Sequence, residues 1–170
     1  MYIYRTMGLE IERKFLVEDI NWKSYTSGAA VTVIRQGYLS TEAERTVRVR
    51  LKDQEAFITI KGKTTGYSRA EFEYSIPAED AKALLLLCKK PLIEKKRYTL
   101  EIDRQVWEID EFFGENSGLV IAEAELAAED QELNPPAWLG KEVTDDKRYF
   151  NSNLALIPYT KVAINHNQQP

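Results

Sequence analysis

Thr46-Val47-Arg48-Val49-Arg50-Leu51 alternates polar and apolar residues with a period of two, the pattern of a β-strand with two unlike faces. Its polar face is ionised. Outward from this segment the pattern recurs: Thr59 and Lys61 alternate with Ile58 and Ile60, and Glu71 and Glu73 with Phe72 and Tyr74. Further on, Lys95 and Arg97 alternate with Lys96 and Tyr98, Glu108 and Asp110 with Trp107 and Ile109, and Glu123 and Glu125 with Ala122, Ala124 and Leu126. Toward the N-terminus, Glu10, Glu12 and Lys14 alternate with Leu9, Ile11, Arg13 and Phe15.

A solvated sheet face usually mixes Thr, Ser, Gln and Lys, and it gains little from two carboxylates at i and i+2, whose side chains stand side by side and repel. Two unit charges about 4 Å apart interact by roughly 4 kcal/mol at an effective dielectric near 20. Repeated acidic pairs are therefore costly unless cations lie between them. If about eight tilted strands close on themselves, they enclose room for side chains and one small ligand, and the charges can face inward. The expected fold is mainly β with flanking helices, a closed eight-stranded antiparallel β-barrel. The interior would set Lys14, Arg48, Arg50, Lys61, Lys95 and Arg97 against Glu10, Glu12, Glu71, Glu73, Glu108, Asp110, Glu123 and Glu125.

Strands are expected near 9–17, 31–40, 46–51, 56–61, 70–76, 93–102, 106–111 and 119–126, with short turns between most of them favouring antiparallel neighbours. A helix is expected over 78–90, opened by Pro77 and the acidic Glu79-Asp80 and stopped by Pro91. A second is expected from Lys147 to Leu156, and a shorter helix or turn around Pro135 to Leu139. Residues 8–157 form one domain in this reading, with 1–7 an N-terminal extension and 158–170 a polar tail. The outward apolar alternates need covering, for which the helices and Trp22, Tyr25 and Trp138 are available.

Bulk properties narrow the function. At 170 residues and a formal net charge of −4, the chain has no overall attraction to nucleic acid. No apolar stretch approaches the roughly 20 residues that span a bilayer, and the expected location is cytoplasmic. The single cysteine, Cys88, excludes an internal disulfide framework and a cysteine-based zinc site, and is read as a buried helix residue. The only histidine, His166, lies in the polar tail, which leaves a Ser-His-Asp triad without a source. Gly62-Lys63-Thr64 imitates the end of a P-loop, but Phe57 stands where that motif needs glycine. A cysteine-phosphatase loop from Cys88 would need Arg where Glu94 stands.

Several Arg and Lys converging from different strands suit phosphate oxygens. Acids outnumber bases, so a polyphosphate needs divalent cations that take carboxylate and phosphate oxygen together, and Mg²⁺ or Mn²⁺ fits an all-oxygen donor set. The implied partner is a small-molecule triphosphate, with no nucleic acid or membrane, on a monomer or homodimer.

Glu10-Ile11-Glu12-Arg13-Lys14-Phe15 resembles the N-terminal Glu-x-Glu-x-Lys signature of the CYTH domains, the triphosphate tunnel metalloenzymes. The likeness continues through Arg35-Gln36-Gly37-Tyr38-Leu39, Val47-Arg48-Val49-Arg50, Thr59-Ile60-Lys61-Gly62, Glu71-Phe72-Glu73, Lys95-Lys96-Arg97, Trp107-Glu108-Ile109-Asp110, Ala122-Glu123-Ala124-Glu125 and Glu142-Val143-Thr144-Asp145-Asp146 with Arg148-Tyr149. It implies an eight-stranded tunnel, metal held by Glu10, Glu12, Glu123 and Glu125, and phosphates gripped by Lys14, Arg48, Arg50, Lys61, Lys95 and Arg97. Catalytic roles would fall to Glu125, Glu108, Asp110 and Lys14, and Glu71 and Glu73 would be further tunnel acids. Gly37-Tyr38-Leu39-Ser40-Thr41 looks like the compact bacterial branch associated with hydrolysis of inorganic tripolyphosphate to pyrophosphate and phosphate. Nucleoside or thiamine triphosphate hydrolysis, a class IV-type adenylyl cyclase and a non-catalytic polyphosphate-binding module are the alternatives. Tyr38 and Tyr149 are read as residues that pack or that support the site from behind, not as catalysts, and Lys147 as a surface residue.

Overall fold

A computed structural model describes residues 11–63, 70–128 and 130–161. Glu10, the expected extension at 1–7 and residues 162–170 of the expected tail lie outside the described residues. The strands are β1 (Ile11–Leu16), β2 (Ala30–Glu42), β3 (Arg45–Lys52), β4 (Glu55–Gly62), β5 (Glu71–Ile76), β6 (Ile93–Ile102), β7 (Gln105–Phe112) and β8 (Val120–Leu126). They form one eight-stranded sheet in the order β1-β8-β7-β6-β2-β3-β4-β5, every neighbouring pair antiparallel. All eight expected strands are present.

The sheet is not the closed barrel expected. Among the described residues no ladder joins β1 to β5. The free edge of β1 is taken by residues 140–143 instead. Gly140 N donates to Leu16 O at 2.7 Å, Leu16 N to Lys141 O at 2.8 Å, and Val143 N to Lys14 O at 2.8 Å, with a bridge between Phe15 and Glu142. A side chain at Gly140 would come within 3.0 Å of the Leu16 carbonyl oxygen, so this close approach needs a glycine. The eight strands curl around their charged face, and one edge carries this loop segment.

Three apolar clusters hold the curl. Phe15, Trp107, Ile109, Ala122 and Ala124 on the convex face of β1, β7 and β8 are covered by Trp22 and Trp138, the former on a 3-10 turn over Trp22–Thr26. Helix α1 (Ala78–Leu87) lays Ala81 and Leu85 over Val49 and Ala56 of β3 and β4. It begins after Pro77 and stops where Cys88 turns extended, three residues before Pro91 and sooner than the sequence suggests. The third cluster lies on the concave face: Tyr38, Ile93, Phe112 and Ile121 meet Leu154 and Ala155 of the C-terminal segment.

That segment is not one helix from Lys147 to Leu156. It is a 3-10 turn at Lys147–Tyr149 and a four-residue helix α2 (Asn151–Leu154), separated by Phe150 at φ −72°, ψ 135°. Asn151 and Asn153 are weak helix formers, and Asn153 Nδ2 spends its hydrogen bond on Lys147 O at 2.6 Å. Lys147 is exposed, as expected. The chain stays docked beyond Ile157: Tyr159 N donates to buried Asn116 Oδ1 at 2.8 Å, and Thr160 Oγ1 to Glu115 O at 2.8 Å. No helix among the described residues is long and apolar enough to cross a membrane.

Candidate active site

Strand register brings the expected charges together. Lys14 of β1 stands opposite Glu123 of β8, Glu123 opposite Glu108 of β7, and Asp110 of β7 opposite Arg97 of β6. Arg97 is the hub: its Nε and Nη2 donate to Asp110 Oδ1 and Oδ2, both at 2.7 Å, Nη2 also to Glu123 Oε2 at 3.2 Å, and Nη1 to Glu108 Oε2. Beside it Lys95 Nζ donates to Asp110 Oδ2 at 2.6 Å, with both side chains at most 1% exposed. Lys14 Nζ bridges Glu12 and Glu123, each at 2.7 Å.

These contacts set the protonation states. Burial would raise the Asp110 pKa, but Lys95 and Arg97 outweigh it and hold the carboxyl at about 2. Burial likewise opposes ionised Glu123, and Lys14 with Lys95 and Arg97 carry it below the usual carboxylate range against the repulsion of Asp110. Burial pulls against Lys14 and Arg97 as well; carboxylates win at both, and both cations are held above their ordinary values. Lys95 is the exception, because complete burial lowers its ammonium to about 8 in spite of Asp110, with Arg97 adding to the fall.

The opposite wall is built differently. Arg48 Nη2 donates to the hydroxyl of Thr59 at 3.1 Å, and that hydroxyl donates to Glu73 at 2.9 Å, leaving Arg48 3.6 Å from the carboxylate. Arg48 Nε is buried without a hydrogen-bond partner among the described residues. Arg50 makes no ion pair among the described residues; its Nε donates to Gln36 Oε1 at 3.1 Å. Burial, then Arg48 and Arg97, lower its pKa to about 10. Lys61 Nζ lies 2.9 Å from Glu71, farther along β4 and β5.

Glu12 and Glu125, the remaining expected residues among those described, sit at the channel mouth. Glu12 and Glu125 face each other across the β1–β8 ladder, both exposed, with Glu123 two residues further in. Glu125 has no side-chain partner among the described residues. No group of three carboxylate, histidine or cysteine side chains among the described residues is gathered closely enough to hold a metal. Glu10 lies outside them. The donor set itself is all hard oxygen, suited to Mg²⁺ or Mn²⁺.

Sequence reasoning passed over Gln36, which is fully buried on the concave face between Ile93 and Arg50. Its signal was the alternation Ile34, Gln36, Tyr38 within β2, hidden because none of the three is charged. Tyr38 is a buried packing residue, as expected, and its hydroxyl lies 3.5 Å from Gln36 Nε2.

The CYTH domain family model matches residues 8–156. The chain is 48% identical to an inorganic triphosphatase of Acetivibrio thermocellus over 154 residues, covering 90% of this chain and 97% of that protein. It is 40% identical to an inorganic triphosphatase of Nitrosomonas europaea over 153 residues, covering 86% and 97%. A crystal structure of an inorganic triphosphatase superposes with a TM-score of 0.68 at 37% identity, covering 86% of this chain and 97% of that one. The PH1012 protein of Pyrococcus horikoshii OT3 shares the fold alone, at 24% identity and a TM-score of 0.51 over 71% of this chain and 80% of that chain.

Proposed function

The chain belongs to the CYTH-domain family, and from that membership and the layout of its concave face we propose that it is a metal-dependent hydrolase of linear triphosphates, cleaving inorganic tripolyphosphate to pyrophosphate and phosphate. The observation that carries this reading is the wall of β2 and β3. Among the described residues Arg50 forms no ion pair and Arg48 has a buried Nε without an acceptor, an arrangement unfavourable in an empty channel and satisfied by phosphoryl oxygens. The homologous inorganic triphosphatases support the choice of substrate.

Magnesium or manganese would be held at the mouth by Glu12, Glu123 and Glu125 with Glu10, and when bound would supply charge neutralisation and polarisation of phosphoryl oxygen. The chain's own residues do the positioning. Arg48 and Arg50 bind the anion from one wall, while Lys14, Lys95 and Arg97 present charge from the other. Lys61, at the far end of β4, adds to the grip on the phosphates. Lys14 keeps its proton, because its pKa is raised by Glu123 and Glu12 over the effect of burial; it serves as a donor to phosphate, not a base. Asp110 and Glu108 are engaged on Arg97, so of the three candidate acids Glu125 is the one free to orient the attacking water. No covalent intermediate is required, since fixed charges placed around an in-line displacement supply the stabilisation.

Phosphate release from tripolyphosphate, ATP, thiamine triphosphate and pyrophosphate should be measured with Mg²⁺, Mn²⁺ and EDTA. Metal-dependent release greatest from tripolyphosphate, abolished in Glu125→Gln, is the expected result. Cyclic AMP formed from ATP would redirect the reading to a cyclase, and tight binding without turnover to a polyphosphate-binding module.

A further inference from the structure

Gln36 stands at a place where folding stability alone favours a carboxylate. It is directly cross-strand from Arg50 and wholly buried. Arg50 lies among like charges, with Arg48 two residues along the same strand and Arg97 close enough to depress its ionisation. Everywhere on the β6–β7–β8–β1 wall the chain answers such a cation with Asp or Glu. Here it supplies an amide. A guanidinium has only donors, so the amide must turn its oxygen to Arg50 Nε and its nitrogen to the Tyr38 hydroxyl, as observed at 3.1 and 3.5 Å. Neither Nη of Arg50 is bonded within the protein among the described residues.

We propose that Gln36 is a positioning residue of the triphosphate site: its neutral amide fixes Arg50 through Nε and leaves the guanidinium's charge and both Nη groups to phosphoryl oxygens. A glutamate of the same shape would orient Arg50 equally well but neutralise it, and an apolar residue would leave the charge but release the orientation. The amide does both jobs at once. This rests on the triphosphate reading above, and it adds a specificity consequence: the subsite at Arg50 selects for a highly charged phosphoryl group.

The test compares Gln36→Glu and Gln36→Met with the wild type in full-length protein, reading kcat and KM for tripolyphosphate, thermal unfolding, and calorimetric binding of tripolyphosphate in EDTA, where no turnover occurs. Gln36→Glu should raise KM and weaken binding by about tenfold or more, with kcat within about threefold and thermal stability equal or higher. Gln36→Met should raise KM by about threefold and lower the melting temperature. In an Arg50→Ala background, Gln36→Met should change KM by less than about twofold, because its effect runs through Arg50. That last arm also decides the matter should Gln36→Glu fail to fold. Wild-type KM and binding in Gln36→Glu, or a Gln36→Met effect undiminished without Arg50, would overturn the proposal while leaving the triphosphate site intact. A wild-type protein that neither cleaves nor binds tripolyphosphate would overturn the functional reading first, and this inference with it.

Discussion

The two walls of the channel carry cations in the same alternation but satisfy them by different chemistry. On β6, β7, β8 and β1, Lys95, Arg97 and Lys14 are matched by Asp110, Glu108, Glu123 and Glu12 at hydrogen-bonding distance. On β2, β3 and β4, Arg50 is held by a neutral amide and Arg48 by a neutral hydroxyl with a carboxylate at 3.6 Å behind it. A buried pair whose charges cancel can hold strands in register but offers little to an anion. A buried cation held by neutral groups contributes little to the fold and much to binding. The first wall should therefore govern stability and the second affinity.

The strongest test of that division is Asp110→Asn. It removes the charge shared by Lys95 and Arg97 while keeping the shape; Arg97 retains Glu108 and Glu123, but fully buried Lys95 loses its hydrogen-bonded counterion, which should cost about 3–5 kcal/mol of unfolding free energy in urea titrations. A loss below about 1 kcal/mol would break the comparison, since the paired wall would then not be structural.

Next in size is Arg50→Met. Losing a preorganised donor to the reacting anion should lower kcat/KM for tripolyphosphate by about 10²–10³, or about 3–4 kcal/mol. The unfolding free energy should be unchanged or up to about 1 kcal/mol higher, because the arginine is desolvated and pairs with no carboxylate among the described residues. Removing a cation should move activity and stability in opposite directions on this wall, and removing a carboxylate should move them together on the other.

Acid stability sharpens the same contrast. The Asp110 carboxyl titrates at about 2 in the folded chain against 3.8 for the ordinary side chain. A depressed carboxylate stabilises the fold above its unfolded pKa, and that contribution disappears as pH falls through the folded value. About 2 kcal/mol should therefore be lost between pH 4 and pH 2, seen as a falling urea midpoint. Asp110→Asn should flatten this limb, whereas Arg50→Met should leave its slope alone.

Much of this was legible beforehand, and the parts that were not have physical reasons. Period-two alternation reports which face a side chain takes, so it assigns Arg48, Arg50, Lys95, Arg97, Asp110 and Glu123 to one face. Alternation is silent about the hydrogen-bonding edge, and residues 140–143 capping β1 could not be read from it. Gln36 is invisible in a pattern of charges, and its significance is that it lacks one. The run around it is also irregular: a side chain at Gly37 would lie 2.6 Å from Cys88 Cβ, and the β2–β3 register shifts between Tyr38 and Ser40. Tyr149, Phe150 and Leu154 give a helical spacing that overextends the expected C-terminal helix, while in the fold Phe150 is extended and Leu154 and Ala155 pack with Tyr38 and Phe112.

The smallest effect expected belongs to Thr59, and its smallness follows from the wall it stands on. Thr59 is fully buried, accepting from Arg48 and donating to Glu73. Thr59→Val keeps shape and removes both bonds, which should cost about 1 kcal/mol of stability. Arg48 does not lose its orientation entirely, because Glu73 remains 3.6 Å away and can close on the freed Nη2. That closure would neutralise part of the charge Arg48 offers to phosphate, so KM for tripolyphosphate should rise by about two- to fivefold with kcat nearly constant. Steady-state kinetics beside a urea titration of the same protein reads both quantities. A KM that falls would mean Thr59 restrains Arg48 away from the anion instead of presenting it, and the neutral partners of this wall would then differ in purpose, the amide presenting its arginine and the hydroxyl withholding one.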